Sequence, residues 1–446
     1  MNYDVAIVGG GISGCALAFI LARYTDIEKI VVIEKYEKVA SLSSSGGNNS
    51  QTNHRGEIET NYTLDKARAV KAKADMVTRY CLDRNLQDSA IFKMQKMAIG
   101  VGDEQVAFIR KRTEEFKSLY PELEVFEKEE LKEIEPAIIY MDGKNGSEVR
   151  PDNIIGSGIR DAWCAINYEE MTKQLIQDAK DEGKVELKLN SQVTKITKDN
   201  GGYKLETVSG EINAKFVLVD AGAHSLYLAN KMGFGKQYSV LPVAGSFYFS
   251  TVENILNGKV YTVQHPKLPF AAIHGDPDIV EKNKTRFGPT ALVMPKLERF
   301  KPGTYCDFFQ SLNLNMGVLS VYKDLFLDRD IGSYVLENIA FELPLNIGRD
   351  LYSKEIQKIV PSTQKTELKY ADGFGGVRPQ MIDSQQKKLI LGEVAIKTGE
   401  GITFNMTPSP GATSCLGNAI EDSKEIVAYL GKTLNLAKLQ EELGYE

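Results

Sequence analysis

The run "YDVAIVGGGISGCALAFILARY" at residues 3–24 leaves few folds open to this chain. Val5 to Val8 is short, β-rich and stopped by glycine, and an apolar helical stretch follows as far as Arg23. Ile30 to Ile33 then reads as a second, fully buried strand ending at Glu34. Strand, turn, helix and strand make a βαβ unit, and its two strands run parallel. Within the turn, the spacing Gly9-x-Gly11-x-x-Gly14 allows a tight bend, a close approach of backbone to a pyrophosphate, and packing of helix on strand. Ser13 belongs to the same phosphate-facing turn, and the helix N-terminus adds N–H donors. Glu34, about 20 residues past Gly14, stands where a carboxylate accepts from ribose hydroxyls. A bound dinucleotide is therefore expected. No second GxGxxG follows, which favours one tightly held FAD over a flavin enzyme that also carries a nicotinamide domain.

With 446 residues the chain exceeds what one core usually supports, so two domains are expected. A formal charge of −6 gives no electrostatic reason for nucleic acid as a partner. The cysteines Cys15, Cys81, Cys164, Cys306 and Cys415 form no CxxC pair, so neither a disulfide framework nor a metal site is expected. The first residues enter a strand without a basic segment or hydrophobic signal core, which predicts a cytoplasmic protein. No apolar run reaches the roughly 18 residues of a spanning helix, leaving attachment to the inner face of the cell membrane open.

Leu64, Ala67, Val70, Ala74, Val77 and Cys81 share one face of a long helix. "INYEEMTKQLIQDAKDEG" is a second helix, ended by Gly183. The strands "VELKL", "VTKI" and "YKLETV" follow, the last two joined by an Asn200-Gly201-Gly202 turn. Phe216 to Val219 returns to a buried strand. From about residue 240 to 335 the pattern becomes alternating β without comparable helices, and from "DIGSYVLENIAFELP" onward it is helical again. The chain closes on "KKLILGEVA", a loop, and the helix "SCLGNAIEDSKEIVAYLGKTL". The expected fold is α/β: a Rossmann-like FAD-binding domain from residues 1–85, 150–238 and 335–446, interleaved with a mostly antiparallel β substrate domain from 86–149 and 239–334.

Residues 43–63, "SSSGGNNSQTNHRGEIETNYT", are almost devoid of apolar side chains. A loop that wraps a pyrophosphate needs small residues and donors, which Ser44, Ser45, Asn48 and Asn49 supply. Val193, Gly222 and Gly376 complete the expected cofactor contacts together with Gly411, Ala412 and Thr413. These last three precede a helix whose N-terminus would face the negative charge of a reduced flavin.

Taken together, the glycine triplet, the acidic strand end, the His-containing polar loop and the late "GGVRPQ" resemble FAD-dependent oxidases of the D-amino-acid oxidase superfamily. "NNSQTNHRGEIETNYT" is similar to the NNxGTGHxxxxELNYT stretch of malate:quinone oxidoreductases, and "PSPGATSCLGNAIED" resembles their SPGAS segment. "VYTVQHPKLPFAAIHGDPD" with "RFGPTALV" resembles a stretch shared with L-2-hydroxyglutarate oxidases. Two departures stand out: Gln51-Thr52-Asn53 replaces Gly-Thr-Gly, and His274-Gly275-Asp276-Pro277-Asp278 replaces His-Leu-Asp-Thr-Arg.

The resemblance implies oxidation of L-malate to oxaloacetate, with hydride transfer to flavin N5 and electrons passed to a membrane quinone. L-2-Hydroxyglutarate, another 2-hydroxy acid or an amine is the rival substrate, and a non-catalytic FAD-binding partner protein is the rival of another class. Such an oxidation needs a base for the hydroxyl proton and a cation for the carboxylate. The resemblance places His274 facing the flavin as base, with His54 as the second candidate. His224 and His265 are read as structural. Arg378, in a glycine-flanked and proline-locked loop, is the expected carboxylate clamp, and Arg286 is a second cation for a dicarboxylate. The basic-apolar stretch "VMPKLERFKPGTYCDFF" reads first as a charged loop and second as a lipid contact.

Overall fold

The computed structural model describes residues 2–264, 272–344, 346–390, 392–408 and 410–445. The expectations for His265 and for the 269–271 part of the strand before His274 lie outside the described residues.

The opening βαβ unit forms as its spacing requires. Strand Asn2–Val8 pairs in parallel with Ile30–Ile33 on one side and with Gly210–Val219 on the other, with Val5 opposite both Ile30 and Phe216. The strand order is Val394–Lys397, Ile402–Met406, Gly210–Val219, Asn2–Val8, Ile30–Ile33, Val185–Lys188. Helix Ile12–Tyr24 is apolar on nearly every side and is accordingly buried almost throughout, between helices Tyr168–Asp181 and Cys415–Leu430. The hairpin Val193–Asp199 and Gly202–Thr207 hangs from Gly210–Val219, its turn made by Asn200 and Gly201 at positive φ.

A second, eight-stranded sheet runs Leu368–Tyr370, Tyr248–Ser250, Thr285–Gly288, His274–Pro277, Lys259–Thr262, Ile91–Val101, Ile154–Ile166, Glu124–Phe126. Its neighbours are antiparallel except for Lys259–Thr262 beside Ile91–Val101. A third sheet, Leu292–Val293, Tyr238–Ala244, Val377–Asp383, Lys388–Ile390, is antiparallel.

Three stretches depart from the expected division. Ile154–Ile166, assigned to the nucleotide-binding part, pairs in the second sheet, where Gly158 lies so close to Ile91–Val101 that a Cβ would sit 2.2 Å from the Lys96 carbonyl oxygen. Leu368–Tyr370, Val377–Asp383 and Lys388–Ile390 likewise join the second and third sheets. The β-like reading of 239–334 fails after Val293: Thr304–Ser311 and Met316–Leu327 are helices, and they lead into Arg329–Phe341, the helix expected from "DIGSYVLENIAFELP" onward. Val318, Val321 and Leu325 recur at helical spacing, and Asn315 and Asp328 cap the two longer helices by accepting from backbone N–H groups.

Candidate active site

A cavity of about 980 Å³ lies at the carboxyl ends of the parallel strands, where Val8, Glu34 and Asp220 end their runs, and the other two sheets wall it off. This is where ligands bind in open α/β sheets. Of the residues expected to contact a cofactor, Gly9, Gly11, Ser13, Glu34, Ser44, Ser45, Asn48, Asn49, Val193, Gly222, Gly376, Gly411, Ala412 and Thr413 all line it. Gly14 does not; it faces the sheet, where a Cβ would come 2.1 Å from the Gly9 carbonyl oxygen. Gly9 has φ +122° and its Cβ would collide with Asp220 O at 2.3 Å, so only glycine serves there.

Helix Ile12–Tyr24 begins at Gly11 with no side-chain cap and no acidic residue in its first turn, which leaves its positive end open to an anion. Ser44 Oγ accepts from Ile12 N at 2.9 Å and so occupies one donor. Glu34 accepts from Gly10 N at 2.7 Å and Tyr36 N at 2.9 Å, fixing both oxygens while leaving lone pairs toward the cavity.

The polar loop behaves differently from expectation. Asn49 spends both amide hydrogens on the Ser43 and Ser45 carbonyls, Asn48 donates to Leu42 O, and Ser45 donates to Glu169. In an irregular segment the nearest unpaired carbonyls capture such donors first. These side chains shape the loop where it lines the cavity.

At the other end three rings meet. Tyr261 stacks on His274, with centroids 4.3 Å apart, and stands edge-on to His54 at 6.3 Å. Its hydroxyl shares a hydrogen bond with Thr52 Oγ1 at 2.7 Å. Each histidine has a carboxylate behind it: His54 Nδ1 lies 2.6 Å from Glu59 Oε1, and His274 Nδ1 lies 2.5 Å from Asp276 Oδ2. The first is an aligned hydrogen bond, whereas the second is a close contact with poor angles. His54 Nε2 is engaged by Ser50 Oγ at 3.0 Å, and His54 N donates to Thr413 Oγ1 at 3.1 Å.

Behind His274 the charges are fully buried. Lys259 Nζ sits 3.3 Å from Asp276 Oδ1, and Arg286 lies 3.5 Å from Asp278 Oδ2. Burial lowers the His274 pKa, with Lys259 and Arg286 adding to the effect and Asp276 opposing it, so the ring is neutral near pH 7. Burial alone would raise Asp276, but His274, Lys259 and Arg286 overcome it and hold the carboxyl well below its ordinary range. Burial would likewise raise Glu59; the His54 hydrogen bond and charge, with Lys96 and Arg112, bring it down to about 2.

Arg378 lies on the cavity wall, where burial lowers its pKa and its one hydrogen bond among the described residues is a long one, from Nη2 to Thr290 O at 3.4 Å. No carboxylate pairs with it among the described residues. Arg286, the other expected cation, is not on the cavity: its strand is paired with Asp276 opposite Arg286, and the guanidinium lies under the Phe247 ring, 4.6 Å away. Its work is to offset buried carboxylates. His224, read from the sequence as structural, lines the far end of the cavity and contacts Asp307 at 3.3 Å.

Sequence reasoning missed Tyr261, Glu59, Asp276 and Lys259. Two of them were findable, because Asp276 follows His274, and Tyr261 follows Lys259, at the two-residue spacing that puts strand neighbours on one face. Glu59 sits in an irregular loop, where no periodicity applies.

The chain was compared with known proteins. The family model described as malate:quinone oxidoreductase matches residues 1–426. The malate:quinone oxidoreductase of Helicobacter pylori is 49% identical over 451 residues, covering 100% of this chain and 99% of the relative. The probable malate:quinone oxidoreductase of Campylobacter jejuni is 48% identical over 447 residues, covering 99% of each. Among solved structures, an L-α-glycerophosphate oxidase from Mycoplasma pneumoniae with FAD bound superposes with a TM-score of 0.63 at 20% identity, over 97% of this chain and 96% of that one. Glycine oxidase from Geobacillus kaustophilus gives 0.63 at 17%, over 96% and 95%. These structural likenesses establish the fold, and the sequence matches establish the lineage: the chain belongs to the malate:quinone oxidoreductase family.

Proposed function

We propose that this chain is an FAD-dependent dehydrogenase that oxidises L-malate to oxaloacetate and passes the electrons to a quinone. Family membership over nearly the whole length supports the substrate pair. The observation that carries the chemistry is the pairing, in one cavity, of a neutral, carboxylate-backed His274 with Arg378, a half-buried cation that has no acid partner among the described residues.

The cavity suits FAD: it has the volume, the glycine turn at Gly9, and an uncapped helix end for the pyrophosphate. FAD, when bound, supplies the two-electron acceptor. The protein's own residues do the rest. Gly9, Gly11 and the first N–H groups of helix Ile12–Tyr24 would hold the pyrophosphate of FAD, Glu34 would accept from its ribose, and the 411–413 turn would supply N–H groups toward its ring. Arg378 clamps the carboxylate beside the hydroxyl, its fork matching two oxygens. His274 accepts the hydroxyl proton at Nε2 while Asp276 steadies the imidazolium that forms. His54, held on both nitrogens, orients the substrate.

A quinone acceptor favours a peripheral protein at the inner face of the cell membrane. No helix of the described residues is long and apolar enough to cross a bilayer.

The test is anaerobic. The flavin-loaded protein is mixed in turn with L-malate, L-2-hydroxyglutarate and a D-amino acid while its visible absorbance is followed. Bleaching by L-malate alone, reversed by a quinone analogue, is expected. Bleaching by another acid only would keep the chemistry and replace the substrate.

A further inference from the structure

Most of the large apolar side chains that are exposed among the described residues fall between 300 and 351. Helix Met316–Leu327 packs Val318 and Val321 inward against Leu241, Val243 and Ile382. Its other side carries Met316, Leu319, Phe326 and Leu327, 80%, 44%, 59% and 71% exposed. Helix Arg329–Phe341 buries Asn338 and Phe341 and exposes Leu336 and Ile339. Helix Ile347–Ile356 buries Tyr352 and Ile356 and exposes Ile347 and Leu351. Each helix packs on the next. All three are thus apolar on two sides, and one side of each has no cover; a helix apolar all round belongs in a nonpolar surrounding.

The charges indicate what covers it. The stripes run at three- and four-residue spacing; the basic residues in register with them are Lys323, Arg329 and Lys354, while of the acids beside them Asp350 and Glu355 are ion-paired with Lys365 and Lys358 and Asp324 stands at the edge. Asp330 and Glu337 stand off the Leu336 and Ile339 stripe by roughly a third of a turn. Bulky apolar groups interspersed with lysines suit the boundary of an anionic bilayer. The stretch just before, singled out in the sequence for its basic-apolar mixture, adds Phe309 at 63% and Phe300 at 53%, and Phe300 also lines the cavity. The apolar region therefore begins at the rim of the active-site cavity.

We propose that the outer faces of the helices spanning 316–356 are the surface on which this protein docks to a lipid bilayer, laying the Phe326/Leu327 and Leu336/Ile339 stripes into the headgroup boundary. This rests on the reading that the acceptor is a lipid-dissolved quinone and the protein is peripheral.

The experiment uses flavin-loaded, full-length protein and mixed phosphatidylcholine and phosphatidylglycerol vesicles. Two double variants, Phe326→Glu with Leu327→Glu and Leu336→Glu with Ile339→Glu, are compared with Val208→Glu, an equally exposed position on a distant hairpin. The wild type and the Val208 variant are expected to sediment with vesicles, and each double variant to lose vesicle binding by about tenfold or more. Malate turnover with a water-soluble quinone analogue is expected to be unchanged in all of them, while turnover with a vesicle-embedded quinone falls in the double variants. Undiminished vesicle binding by both double variants would overturn the assignment of this face and leave the peripheral reading standing. A wild type that ignores vesicles would overturn both. Loss of a self-associated form in the double variants, with vesicle binding intact, would show that a second copy covers the face and would overturn lipid as its occupant.

Discussion

His274 and His54 present the same pair of groups, an imidazole and a carboxylate, from two very different walls of one cavity. His274 rises from a sheet: its partner is two residues along the same strand, its side chain is 4% exposed, and the layer behind it is buried charge. His54 hangs from an irregular loop, 16% exposed, with its partner five residues on and Ser50 already on Nε2. The lesson is that a histidine–carboxylate pair does not define a base by itself. What occupies the second nitrogen, and what lies behind the carboxylate, decide the duty.

The largest effect should come from the sheet wall. His274→Gln is expected to keep flavin bound and slow its reduction by malate by about 10²–10⁴, whereas His54→Gln costs about tenfold, as seen by anaerobic stopped-flow absorbance. The reverse order would exchange the two assignments.

The arginines divide the same way. Arg378→Met should lower kcat/KM for malate by about 10- to 100-fold, chiefly through KM, because a charge-assisted bidentate contact is lost. Arg286→Met should act on folding: it strips the counter-charge from buried Asp278 and Asp276, at a cost of about 3–5 kcal/mol read from denaturant unfolding. A purely kinetic defect at Arg286, with stability intact, would mean that it reaches substrate after all.

pH sharpens the comparison further. A base must be unprotonated, so kcat/KM should fall on the acid side with a midpoint below the ordinary histidine value of about 6.5, since burial lowers His274. Asp276→Asn removes the charge that opposes this shift while burial, Lys259 and Arg286 remain, so the acid limb should move to still lower pH. A limb that moves upward would contradict the proposed base. The smallest effect belongs to the loop wall, where Thr413→Val deletes the acceptor for His54 N and should cost about 1 kcal/mol in kcat/KM, roughly fivefold.

The parts of this molecule governed by a period could be read from the residues. The βαβ unit, the Asn200-Gly201 hairpin and the helix ended by Gly183 repeat or punctuate at fixed spacing, and each formed where expected. The helices Thr304–Ser311 and Met316–Leu327 were missed because alternating runs upstream were extrapolated through a stretch whose own spacing had changed. Which strand joins which sheet was not legible at all for Ile154–Ile166, since pairing partners are chosen by packing across distant sequence. The same limit applies to the site. Gly9, Glu34 and the candidate histidines carry local signals, whereas the withdrawal of Arg286 behind Phe247 and the self-bonding of Asn49 are decided by tertiary neighbours.

The position of strand Asn2–Val8 bears on the order in which this protein can be made. It lies inside its sheet, against Gly210–Val219, which in turn pairs with Ile402–Met406, and the cavity takes its walls from residue 8 through 414. During synthesis this strand must wait for one of its two neighbours until some two hundred more residues have followed. The phosphate-facing turn beside it gains the 411–414 wall only some four hundred residues later. Long-range pairing of this kind is slow and leaves early segments unsatisfied in the meantime. A chain truncated before residue 411 would lack the 411–413 turn, which lines the cavity and accepts from His54 N.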